Sequence, residues 1–184
     1  YFLNGERMSA GNEGGSVRGN ETNLGDLMTD ILLDACRAKM GVDYAFIYYQ
    51  GYWLRASVEA GDITMENIQS IFANPTVLFY DNYNAEEVLS LVTYGLSNVY
   101  PEKEGQSFYQ YSGLRVTYTY NAGVGTPVTI EVGDTLVYDA NNGGIQVDAD
   151  WNVDIVGTMT GGEIDNYTGD QHEWICHDKT EVQQ

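Results

Sequence analysis

The sequence predicts an α+β domain, and three observations carry that reading. Helical periodicity dominates the first half of the chain. After Pro101 the texture changes to short β-rich segments divided by Gly, Asn and Asp. No steady alternation of strand and helix runs through the chain, so helices in the first half and strands in the second point to a layered mixed domain and not to a parallel doubly wound sheet. The 184 residues suffice for one well-cored domain, taken as 1–184.

The elements follow in order. Residues 1–19 are Gly- and Ser-rich apart from Phe2 and Leu3, carry Arg7 and Arg18, and read as an ordered loop. From Leu24 the apolar residues Leu24, Leu27, Met28, Ile31, Leu32, Ala35 and Cys36 recur at three- and four-residue steps, which predicts a helix with one buried face ending near Gly41. Asp43 to Tyr49 reads as a buried strand. Thr64 to Phe72 is a short helix with Thr64 as N-cap, and a third helix starts at Asn84, with Glu87 completing a capping box, and ends by Asn98. The segments FYQYSG, LRVTYTY, PVTIEV, DTLVYD, GIQVDAD and WNVDIV then supply strands, with a hairpin turn over Val132 to Thr135.

Composition narrows the function. With 27 acidic residues against 8 basic ones, the formal charge of −19 repels nucleic-acid backbones and anionic lipid surfaces, so neither is an expected partner. No apolar run approaches the roughly 20 residues of a membrane span, and the first residues have neither signal-peptide nor transit-peptide character, so an exported protein would be represented by its mature part. Cys36 and Cys176 have no second thiol nearby in sequence, which excludes zinc-type or redox spacing. The spacing cannot say whether they pair with each other, but Cys36 falls on the apolar stripe of the first helix, where a buried thiol is expected. His172, Cys176, His177 and Asp178 sit close together in a polar tail without further ligands, and QVDADWNVD lacks the spacing and glycine of a calcium loop.

Six stretches together bring a known family into view: NGER at 4–7, VRGNETNLGDLMTD at 17–30, LRASVEAGDIT at 54–64, the FAN of SIFANPTVL at 70–78, FYQYSGLRVTY at 108–118 and TGGE at 160–163. In this order and at these spacings the chain resembles the C-terminal, substrate-recognition domain of the 5'-nucleotidase and UDP-sugar hydrolase family. The resemblance implies a layered fold of that domain type and a nucleotide or sugar nucleotide held between it and an N-terminal metallophosphatase domain carrying two divalent metal ions. It implies that this chain has no cofactor of its own and that the whole protein is extracellular, cell-surface or periplasmic. Arg7, Arg18 and Arg55 then face the substrate's anionic end, Phe72 stacks on the base with Asn74 beside it, and Glu163 stands where the family places an acidic residue near the nucleoside.

The physical chemistry of the residues agrees for the arginines, because a planar five-donor fork suits phosphate oxygens and three of them would offset a repulsive field. Each position also has a plainer role open to it. The arginines suit surface ion pairs among abundant carboxylates, and Phe72 suits core packing at a helix end. The chain departs from the family where a glycine-rich loop normally precedes the arginine: Tyr52 and Trp53 stand there instead, either as filler in a closed pocket or as an aromatic platform for another ligand. No metallophosphatase ligand set, nucleophile elbow or P-loop occurs, so the chain alone is expected to hold a substrate and not to cleave one. Two functions stay open: the recognition domain of a nucleotide hydrolase, or a non-catalytic binding module on the same scaffold.

Overall fold

The computed structural model describes residues 2–5, 16–72, 77–99, 107–159 and 173–174. Arg7, Asn74 and Glu163 lie outside the described residues, as do His172, Cys176, His177 and Asp178.

The first helix, α1 (Asn23–Met40), is capped by the Thr22 hydroxyl, which accepts from the Gly25 N–H, and stops at Gly41 in the left-handed conformation that glycine tolerates. Arg37 near its C-terminus donates from both Nε and Nη2 to the Tyr44 carbonyl, tying the helix end to the strand that follows. That strand, β1 (Phe46–Gln50), is buried along its whole length. A single 3-10 turn, Gly51–Trp53, leads out of it. Then come α2 (Met65–Ile71), capped by Thr64 with Asn67 closing the box, β2 (Val77–Asn84), and α3 (Ala85–Gly95), where the expected box between Asn84 and Glu87 is formed. The remaining strands are β3 (Tyr109–Ser112), β4 (Leu114–Asn121), β5 (Val124–Val132), β6 (Thr135–Asp139), β7 (Gly144–Ile145), β8 (Asn152–Met159) and β9 (Glu173–Trp174).

Two sheets result. The larger has the order β3-β1-β8-β2-β9, with β1 and β8 parallel and the other neighbours antiparallel; the smaller is the meander β4-β5-β6-β7. The run Phe46-Ile47-Tyr48-Tyr49 is continuous in its apolar character because the larger sheet is covered on both faces. Phe46 and Tyr48 point into one core with Phe79 and Ile155, where α3 contributes Val88 and Val92 and the meander contributes Ile130, Val132 and Val137. Ile47 and Tyr49 point into a second core with Leu78 and Val156, where α1 contributes Leu24, Met28, Leu33 and Cys36. The architecture is therefore three layers: α1, the mixed sheet, and α3 with the meander.

Two readings of the sequence change. The strand β2, which pairs with β8 along its full length, had no counterpart among the predicted elements. GIQVDAD is not a strand throughout: only Gly144 and Ile145 pair, and the chain turns at Asp148, whose carbonyl accepts from the Trp151 N–H, so Asp148 and Asp150 belong to a turn. Cys36 is buried, as its place on the apolar stripe predicted.

Candidate functional site

The site is built where two backbone segments cross at close range. Residues 16–20 form a tight turn in which the Gly19 and Asn20 N–H groups donate to the Ser16 carbonyl and the Arg18 N–H donates to the Ser16 hydroxyl. The 3-10 turn after β1 lies directly against it. A Cβ at Gly51 would overlap the Val17 carbonyl oxygen, so only glycine lets the two segments approach this closely. The Gly51 N–H donates to the Phe108 carbonyl, which fixes the turn's departure from the sheet.

This crossing brings Arg18, Tyr52, Trp53 and Arg55 together. The Arg18 guanidinium lies 4.4 Å from the centroid of the Tyr52 ring, and that of Arg55 lies 5.0 Å from the same ring and 5.7 Å from that of Trp53. The Tyr52 and Trp53 rings meet edge to face, 5.4 Å apart. All four side chains are half-buried. The cluster thus gathers two guanidiniums at one ring in a chain that has eight basic residues in all.

Tyr52 and Trp53 differ in their anchoring. The Trp53 indole N–H donates to the Gln50 amide oxygen at 2.8 Å, and its ring packs on the core that includes Leu54 and Ile71, so it fills space. Tyr52 is held by the two guanidiniums and by Trp53. Phe72 caps α2 and packs edge to face on Tyr49 at 5.9 Å, in the same core. The Arg55 N–H donates to the Ile71 carbonyl, which brings Phe72 beside the arginine.

Sequence reasoning passed over Gln110. Its side chain is 1% exposed, accepts from the Thr22 N–H, and donates to the carbonyls of Val17 and Asn20 on either side of Arg18. Its place inside the FYQYSGLRVTY stretch was the available signal. The first turn of α1 carries an electrostatic strain of its own. Desolvation, and then the charges of Glu21 and Asp30, push the Asp26 carboxyl up to about 6. Among the described residues no three His, Cys, Asp or Glu side chains converge so as to hold a metal ion, and no helix is long and apolar enough to cross a membrane.

The family model for the 5'-nucleotidase C-terminal domain matches residues 5–162. The trifunctional nucleotide phosphoesterase protein YfkN of Bacillus subtilis (strain 168) is 30% identical over 105 residues, 57% of this chain and 7% of that protein. The 5'-nucleotidase precursor from Thermus thermophilus superposes with a TM-score of 0.63 at 26% identity, covering 85% of this chain and 28% of that one. The NAD nucleotidase of Haemophilus influenzae shares the fold, with a TM-score of 0.51 at 15% identity over 84% of this chain and 25% of that one. The chain thus spans under a third of the length of each of these relatives.

Proposed function

Because the chain belongs to the 5'-nucleotidase C-terminal domain family, we propose that it is the substrate-recognition domain of a secreted or periplasmic 5'-nucleotidase-like hydrolase acting on nucleotides or sugar nucleotides. The observation that carries this reading is the convergence of Arg18 and Arg55 on one ring. Two guanidiniums gathered at Tyr52 concentrate positive charge where a phosphate could be met, and edge-on bidentate contact is the geometry that distinguishes arginine from lysine. Phe72, beside Arg55, is the aromatic available to a base. Arg7, Asn74 and Glu163 complete the proposed contact set.

In this reading the chain binds and orients, and the chemistry belongs elsewhere. The two divalent ions that would polarise the phosphoryl group and activate water are assigned, on the family resemblance, to an N-terminal metallophosphatase domain. Calorimetric titration of the chain with AMP, UDP-glucose and adenosine tests the assignment. Weak binding of the two phosphorylated ligands with none of adenosine is the expected pattern, and binding of adenosine alone would overturn it. Phosphate release from AMP with added manganese or zinc, abolished by a chelator, would show that the chemistry had been misplaced.

One observation favours a second reading. Tyr52 already occupies the guanidinium faces, in the place of a glycine-rich loop. A chain that bound neither AMP nor UDP-glucose would fit a non-catalytic module whose Tyr52 and Trp53 surface takes another small ligand.

A further inference from the structure

We infer that Gln110 is the positioning residue of the candidate site, the group that sets where Arg18 meets Tyr52; the inference rests on the reading that Arg18 serves that site. Gln110 is 1% exposed and has its amide fully engaged at one place in the chain. Its Nε2 donates to the Val17 carbonyl at 3.1 Å and to the Asn20 carbonyl at 2.8 Å, and its Oε1 accepts from the Thr22 N–H at 3.2 Å. The two carbonyls flank Arg18 and Gly19, so one planar amide fixes the orientation of the peptide units on both sides of the arginine.

The same residue also governs the other half of the contact. The backbone of Gln110 pairs with Tyr49 in the β1–β3 ladder, and the chain runs from Tyr49 directly into the turn that carries Tyr52. The Arg18 turn is bonded to the side chain of Gln110 and Tyr52 follows its strand partner, so this one residue links the two halves of the contact. Gly25 confirms how closely the amide is held, since a Cβ there would overlap Gln110 Oε1. A side chain that only sealed the α1 N-terminus would need the single bond to Thr22; the two bonds to the Arg18 turn are what that simpler role leaves unexplained.

The consequence of losing the amide follows from burial. Without its donors, the buried Val17 carbonyl loses its amide partner and the Asn20 carbonyl loses its tie to the strand, and a buried carbonyl left unpaired is costly enough to turn its peptide. Rotation of those peptides carries Arg18 with them. Gln110→Glu is the discriminating change: it keeps an acceptor for the Thr22 N–H, and therefore the helix cap, but sets an anion against two carbonyl oxygens.

The experiment reads the contact and needs no ligand. In the full chain the Arg18 guanidinium carbon lies 4.4 Å from the Tyr52 ring centroid, so the neighbouring δ-methylene protons are expected to resonate upfield of ordinary arginine values. Tyr52→Ala sets the baseline by abolishing the shift. Gln110→Glu and Gln110→Met are expected to lose most of it while the amide spectrum stays folded. A folded variant of either kind that keeps the full shift would overturn the inference. Should both fail to fold, the unmodified chain decides: the Gln110 side-chain amide protons are expected to exchange slowly, and exchange at the rate of a solvent-exposed amide would overturn it. Because AMP is absent throughout, failure here is distinct from failure of the nucleotide-binding reading.

Discussion

Removing the Tyr52 ring should strengthen binding of AMP. Tyr52 engages two guanidiniums, at 4.4 and 5.0 Å from its centroid. Cation–π contacts at partly exposed sites contribute about 0.5–1 kcal/mol each, so the ring holds the arginines with ~1–2 kcal/mol that a ligand needing to move them must overcome. Tyr52→Ala abolishes that competition and opens space next to both cations. The expected gain is about 5- to 30-fold in Kd for AMP by isothermal titration. Trp53 should be left in place, because its bond to Gln50 and its packing on the Leu54 core make its loss a stability defect. Arg55→Ala in the Tyr52→Ala background should remove a charge-assisted contact of roughly 1.5–3 kcal/mol, reversing the gain. Tight AMP binding by the unmodified chain, or a folded Tyr52→Ala variant that binds AMP no better, would refute the competition argument and leave the stack as a purely structural cluster.

Three further expectations concern stability. Ala122 has φ of 50° beside Gly123 at 75° in the two-residue turn between β4 and β5, a region that costs an ordinary L-residue about 1–2 kcal/mol but that Asn tolerates because its short polar side chain hydrogen-bonds locally, so Ala122→Asn should raise Tm by a few degrees; an unchanged or lower melting temperature would count against the turn geometry. The Tyr111 hydroxyl is buried with no hydrogen-bond partner among the described residues, and its phenol is pushed up by desolvation and then by Tyr109; Tyr111→Phe should therefore be neutral or stabilising by up to about 1 kcal/mol in urea, and a clear loss would reveal a partner. Asp26, raised from 3.8 to about 6, binds its proton more tightly in the folded state, so its contribution favours folding most below the unfolded value and declines as pH rises from about 4 to about 6. Asp26→Asn should consequently raise Tm at pH 7.5 and leave it nearly unchanged at pH 3.5; equal effects at both would falsify the assignment.

What the sequence disclosed depended on how local each determinant was. The helices were legible because their signals sit within a few residues: Thr64 and Asn84 cap as their positions predicted, and Val132 to Thr135 closes the β5–β6 hairpin. The strand β2 was missed because its apolar opening, Val77 to Tyr80, gives way to the polar Asp81, Asn82 and Asn84, a pattern that makes sense only once β8 is known to lie alongside. The candidate site was legible as residue types. That Arg18 and Arg55 would share one ring was not, since their meeting depends on the clearance at Gly51 and on Gln110, a residue whose three bonds all reach another part of the chain. The aromatic substitution at Tyr52 and Trp53 was visible, but its division into one ring held by cations and one held by the core required coordinates.

The parallel pairing of β1 with β8 has a consequence for the order in which the molecule assembles. Phe46 and Ile47 must wait for Ile155 and Val156, which leave the ribosome long after them, while the meander β4-β5-β6-β7 pairs each strand with the next as it emerges. Local pairings close quickly and distant ones slowly, because the entropy of the intervening loop is lost before any contact compensates it. The meander is therefore expected to form first, as a platform onto which β8 delivers the end of the chain between β1 and β2. During that interval the apolar strand Phe46–Gln50 has no parallel partner, and it is the segment most exposed to capture by another chain. The excess of acidic over basic residues, already present before β8, is expected to act as a kinetic safeguard that holds nascent copies apart until β8 arrives.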